Sequence, residues 1–131
     1  MRTHAGRAGF TLIELLIVVV IIGILTAIAI PKFAVTKEQS YLATMKSDLH
    51  NLITAQEGYL ADNGMYYAGA IPNAAVAYRP SSGTTVTMVS ATAAGWQATA
   101  TYTGTIRTCA VFYGNVAALA PANVNGEPKC S

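Results

Sequence analysis

Charge is scarce in this sequence: eight Lys and Arg residues and six Asp and Glu residues make up 11% of the chain's 131 positions. The net charge of +2 comes from Arg2 and Arg7 in the head of the chain, and beyond them six basic residues face six acidic ones. A chain that is neutral over most of its length has no electrostatic reason to hold nucleic acid or an acidic surface. Histidine occurs twice, as His4 and His50, and cysteine twice, as Cys109 and Cys130. Neither type clusters at ligand spacing, so no metal site is expected. A Gly-rich phosphate loop, a nucleophile elbow and paired carboxylates at catalytic spacing are missing as well. These absences exclude the common enzyme classes, and no cofactor is expected. The length suits one small domain.

Apolar residues are abundant, and the strongest run of them stands in one place. Residues 1–9 (MRTHAGRAG) are short, basic and rich in Gly and Ala, and they lead into FTLIELLIVVVIIGILTAIAIP. Glu14 is the only charge from Phe10 to Pro31, and seventeen uncharged residues separate it from Lys32. That is the lower limit for a membrane-spanning helix, and adding Phe10 to Ile13 makes the span comfortable. Arg2 and Arg7 precede the span, while Lys32 and Lys37 follow it with Glu38 as an offset. The positive-inside tendency therefore places the N-terminus in the cytoplasm and exports the C-terminus. A secretory signal peptide would have a shorter apolar core and a small-residue cleavage site at its end. Here the run is longer and closes with Pro31-Lys32-Phe33.

Glu14 separates a plain membrane anchor from something more specific. A carboxylate just inside a bilayer-length helix costs a few kcal/mol unless neutralised. A helix-end acid that snorkels to the interface is the simple alternative. A partner of opposite charge at the same depth is the other. Cutting the chain before Phe10 would create one, an α-amino group with an ordinary pKa near 8.

Gly9 followed by Phe10-Thr11-Leu12-Ile13-Glu14 and an unbroken apolar helix resembles the processing motif of type IV pilins and type II secretion pseudopilins. The resemblance covers residues 6 to 42. It implies cleavage after Gly9 by a prepilin peptidase and methylation of the new amine at Phe10. It also implies that Glu14 pairs with the N-terminus of a neighbouring subunit during assembly. Gly23 and Pro31 match positions where the family's helix is weakened, which fits the cost of Gly in a helix and the donor that Pro removes.

After Pro31 the helical pattern changes character. Leu42, Met45, Leu49, Leu52 and Ile53 recur at three- and four-residue spacing, with Lys46, Asp48, Asn51 and Glu57 largely off that stripe. This predicts an amphipathic helix with one face on a core, ending at Asn63-Gly64. One helix from Phe10 to Asp62 would be roughly 80 Å long at about 1.5 Å per residue. Outside lipid, other copies would have to cover its first half. Residues 65–83 read as a loop with Tyr66, Tyr67 and Tyr78. Three or four antiparallel strands follow, over 84–90, 96–102 and 107–113, with turns at Gly95 and Gly104. Trp96 is expected as a core anchor in preference to a ligand stacker. Two cysteines in a small exported body read as one disulfide, Cys109–Cys130. It would close residues 114–131 onto the sheet.

The expected architecture is α+β, a long N-terminal helix with a small antiparallel sheet on its second half. Its segments are a leader (1–9), a membrane or filament-core helix (10–31), an amphipathic continuation (32–63) and a globular body (64–131). The resemblance implies a homopolymer of pilin subunits, built through an inner-membrane assembly platform into an extracellular fimbrium. Such filaments serve adhesion, motility or DNA uptake. The first alternative is a periplasmic pseudopilus subunit. Major pseudopilins carry an acidic calcium-binding loop late in the chain, whereas Glu127 is the one acid after Asp62 here. The second is a DNA-binding competence pilin, for which Arg79, Arg107 and Lys129 are the body's whole basic supply.

Overall fold

A computed structural model describes Gly6 and residues 9–131. The other residues of the expected leader, Arg2 and Arg7 among them, lie outside the described residues. The chain divides into two units, Met1–Thr36 and Lys37–Ser131. One helix, α1 (Leu12–Asn63), contributes to both.

In the first unit the helix is hydrophobic all round. Its large apolar side chains, from Leu12 through Val35, are all exposed, and none of the apolar window is buried against the rest of the chain. A helix of this kind requires a nonpolar environment from outside its own chain. Pro31 sits inside α1 without ending it, although it withholds a donor from the carbonyl of Ala27 four residues earlier. Two threonines bracket the site by back-bonding to the preceding turn. Thr26 Oγ1 donates to the Ile22 carbonyl at 2.5 Å, and Thr36 Oγ1 to that of Lys32 at 3.0 Å.

The second unit holds the core. Leu42, Met45, Leu49 and Leu52 are buried at the predicted spacing. They pack against a four-stranded antiparallel sheet in the order β1 (Thr84–Ala91), β2 (Gly95–Tyr102), β3 (Thr108–Gly114) and β4 (Lys129–Cys130). Register follows alternation: Ala98 pairs with Val111 and Ala100 with Cys109, and all four side chains face the core. The β1–β2 ladder shifts between Met88 and Ser90, which turns Val89 out into solvent. Trp96 is fully buried and stacks on Tyr113 at 6.2 Å. Helix α1 stops where Gly64 takes a φ of 71° and its N–H bonds the Leu60 carbonyl at 2.8 Å. Few other residues accept that backbone conformation.

The outer sheet face is covered in part. Ala110 and Phe112 of β3 point away from the helix, yet they are buried under Ala122, Val116 and Leu119 of the C-terminal loop. Asn125 fastens this loop by pairing its side-chain amide with both backbone groups of Gly114, at 2.9 and 3.2 Å. The disulfide Cys109–Cys130 joins residues that are direct cross-strand partners.

Two polar residues of α1 depart from the sequence reading. Asp48, expected off the apolar stripe, is buried, because Ser81 donates to its carboxylate from both N–H and Oγ, the latter at 2.8 Å. Gln56 is fully buried, and its amide pairs with the N–H and carbonyl of Tyr67 at 2.8 and 2.9 Å. Replacing Gln56 with Leu would leave two half-buried backbone groups of Tyr67 without their amide partner, a loss of about 1–3 kcal/mol. Urea unfolding of the full chain in detergent, followed by the fluorescence of Trp96, should show the midpoint falling accordingly. An unchanged midpoint would mean that the amide clamp carries no weight.

Candidate processing and assembly site

The N-terminal site is built on the first turn of α1. Gly9, Phe10 and Thr11 precede the helix, and Phe10 is exposed. Among the described residues, a side chain added at Gly9 would meet nothing within 4 Å. Thr11 is the N-cap. Its N–H and its hydroxyl both donate to one oxygen of Glu14, Oε2, at 2.8 Å each, and the Glu14 N–H returns a bond to the Thr11 hydroxyl at 3.3 Å. This is a capping box, in which helix-end donors are satisfied reciprocally. A carboxylate offers about four acceptor positions on its two oxygens. The capping bonds fall on Oε2, and among the described residues none falls on Oε1.

The pattern Thr-x-x-Glu at 11–14 is a legible capping signal that the sequence reading passed over in favour of an intermolecular partner. The geometry gives Glu14 a local role that is compatible with that partner. Gly23 and Pro31 both lie within continuous helix. Cys109 and Cys130 are joined, far along the chain from the first turn. Among the described residues, no group of three or more His, Cys, Asp or Glu side chains could hold a metal ion.

Three carboxylates farther along α1 share the chemistry of Glu14 in taking a bond from a hydroxyl. Glu38 accepts from Thr105 at 3.3 Å, Asp48 from Ser81, and Glu57 from the phenol of Tyr66 at 2.8 Å. The last two tie the loop after α1 to the helix, and the first ties the β2–β3 turn. Tyr78 adds a bond from its phenol to the Asp48 carbonyl at 2.8 Å. Burial raises the Tyr78 phenol, helped by the charge of Asp48. Burial, and then the bond to Glu57, push Tyr66 up from 10.0 to about 12.

A raised phenol pKa gives stability that is complete below the unfolded value and disappears as pH climbs through the folded one. For Tyr66 that window runs from 10.0 to about 12. Unfolding midpoints measured across it should fall less steeply for Tyr66→Phe than for the parent chain. Coincident slopes would count against the Tyr66–Glu57 tie.

An exposed apolar helix with a capped acid in its first turn, running into a small disulfide-closed sheet, is a pilin-like arrangement. Residues 4–30 match the family model described as the prokaryotic N-terminal methylation motif. The chain is 46% identical over 65 residues to the type IV major pilin protein PilA of Myxococcus xanthus, a match covering 50% of this chain and 30% of that protein. It is 38% identical over 60 residues to the type II secretion system core protein G of Pseudomonas aeruginosa, covering 46% and 42%. It is 41% identical over 58 residues to the type IV wide pilus major component PilA4 of Thermus thermophilus, covering 44% of each. The chain spans less than half the length of these relatives. The chain is thus similar to type IV pilins and to type II secretion pseudopilins.

Proposed function

We propose that this chain is the structural subunit of a type IV pilus. In this reading it is stored in the inner membrane as a single span over residues 10–31, with the N-terminus in the cytoplasm. A prepilin peptidase cuts between Gly9 and Phe10, the Phe10 amine is methylated, and an inner-membrane platform stacks the subunits into an extracellular fimbrium. Adhesion, motility or DNA uptake would follow from that filament. The observation that carries the reading is the first half of α1, whose apolar side chains find no cover within the chain. Lipid supplies that cover before assembly, and the helices of other copies supply it afterwards.

Glu14 contributes register. The amine of a neighbouring Phe10 would arrive beside its carboxylate, and docking would neutralise a charge that is costly at that depth. Gly23 and Pro31 give the helix two positions of reduced stability inside the packed region. A periplasmic pseudopilus is the second reading, favoured by the match to a type II secretion core protein. The scarcity of late acids, with Glu127 alone after Asp62, favours the pilus.

Replacing Glu14 with Ala should leave membrane insertion and cleavage intact and lower the yield of sheared filaments. Filaments in normal amount would refute the charge-pairing role. The function itself is tested by deleting the gene and comparing sheared and secreted fractions. Loss of surface fibres containing a chain that begins at Phe10 is the expected result. Intact fibres with secreted enzymes trapped inside the cell would make the chain a pseudopilin.

A further inference from the structure

The second unit, Lys37–Ser131, carries charges of opposite sign at the two ends of its stretch of α1. Its upper end is the helix C-terminus, where Asp62 is exposed in the last turn and no basic residue accompanies it. That placement is unfavourable on its own chain, because the carbonyls that end a helix form its negative pole and favour a cation. Met65, just past the helix, is exposed as well.

The lower end is the β2–β3 turn. Thr105 ties it to Glu38 at 3.3 Å, and Tyr102 stacks on Tyr41 at 4.3 Å. This turn presents Ile106 and Arg107, both exposed, with the Arg107 N–H pinned to the Thr105 hydroxyl at 3.1 Å. Lys37, the other cation at that level, stands over the Tyr41 ring. Lys46 and Arg79 lie nearer the middle of the body: Lys46 is close to Asp48 along α1, and Arg79 follows Tyr78, whose phenol bonds the Asp48 carbonyl.

Within one copy Arg107 and Asp62 cannot meet. Glu38 and Asp62 stand about 36 Å apart on α1 at about 1.5 Å per residue, several times the reach of an arginine side chain. Among the described residues neither charge has an ion-pair partner. Glu38, Asp48 and Glu57 differ from Asp62, since each takes a bond from a hydroxyl. Each end of the body thus offers an exposed apolar side chain and an unpaired charge, and the signs are opposite.

We infer that Arg107 of one copy pairs with Asp62 of a second copy of this chain, the two bodies stacked head to tail with their helices pointing the same way. The inference rests on the proposal that copies polymerise, and it places one contact on the body. A guanidinium docked at Asp62 meets the carboxylate and the negative helix end together, so the second copy removes a mismatch that the helix carries alone. Bodies placed head to head would bring Asp62 against Asp62, and tail to tail Arg107 against Arg107. Charge pairs of this kind set partner and register more than they add affinity. Because the two ends are different surfaces, the contact is heterologous: a copy joined at one end stays open at the other, and the series extends without closing.

Charge reversal in the full-length chain tests it in cells. Asp62→Arg and Arg107→Asp should each lower the yield of sheared fibres about tenfold, and the two together should return it to within about twofold of the parent. Asp62→Arg also gives the helix end the cation it lacks, so the urea midpoint in detergent, followed by Trp96, should hold or rise. Lost fibres then report a lost contact and not a lost fold. Single variants with parental yield would overturn the inference, and so would a double variant as poor as the singles. A second measurement does not depend on fibres. Arg107→Lys keeps the charge and supplies an amine, which a water-soluble carbodiimide condenses with a carboxylate in direct contact. Mass spectrometry should recover the peptide containing Asp62 joined to the peptide containing that amine, and the span between them makes the link one between copies. The joined peptides in membranes of cells whose fibres lack the chain would support the contact and refute the pilus. Parental fibres without the joined peptides would overturn the contact and leave the pilus proposal standing. Their absence from fibres and membranes alike would also overturn it.

Discussion

Water and the segment from Phe10 to Pro31 are incompatible, and the rest of the molecule follows from that constraint. Every large apolar side chain there is exposed on the chain itself. Transfer from water gains about 25 cal/mol per Å² of such surface, so a bilayer-length helix is driven into lipid or into a bundle of its own kind. The choice between those environments cannot be made by hydrophobicity, because lipid tails and neighbouring apolar helices are nearly equivalent solvents. A polar group must then give direction. Glu14 is the one charge in the segment, and the capping bonds from Thr11 hold its carboxylate at the helix start. The acid is thereby kept in one orientation by its own chain.

The body solves a different problem, that of stabilising a small sheet on one face of a helix. Its core is thin, with Ala98 and Ala100 standing beneath Met45, Leu49 and Leu52. Small domains bury too little surface to rely on such a core alone. The disulfide supplies one staple, worth roughly 3 kcal/mol for a loop of this size in the chain-entropy picture. Carboxylate–hydroxyl ties from Glu38, Asp48 and Glu57 supply others, each joining α1 to a loop or turn. The C-terminal loop then covers Ala110 and Phe112, so β3 is buried on both faces.

Much of this was legible in the sequence. The apolar run, the stripe Leu42–Met45–Leu49–Leu52, the Gly64 stop, the strands and the cysteine pair all rest on local composition or periodicity, which a sequence displays directly. Asp48 and Gln56 were not legible. Periodicity sorts residues by hydropathy, and an acid at position 48 reads as surface unless its partner is known. That partner, Ser81, lies 33 residues away, and for Gln56 it is a backbone that exposes no side-chain signal at all. The second cluster under the C-terminal loop escaped for a related reason: Val116, Leu119 and Ala122 sit in a stretch without strand or helix period. At the candidate site the motif was readable, and the capping role of Thr11 was the piece left unread. A motif with a known long-range meaning hid a short-range one.

The chemistry of the ties bears on how the body holds together as ionic strength changes. An ion pair at a surface weakens as salt rises, whereas a hydroxyl donating to a carboxylate is worth about 1.5–3 kcal/mol with no second charge to screen. Glu38, Asp48 and Glu57 of α1 use the second arrangement. Lys129 is engaged in a similar way, bonding the neutral Asn123 side chain, and Lys37 stands over the Tyr41 ring. Charges held by neutral partners keep their full sign toward the outside. The body can therefore stay folded through changes of ionic strength that would alter every contact between charged copies. Stability of the body rests on its core together with hydroxyls, amides and one disulfide. None of these draws on the exposed apolar side chains of the first unit, so the body's surface can change without altering them.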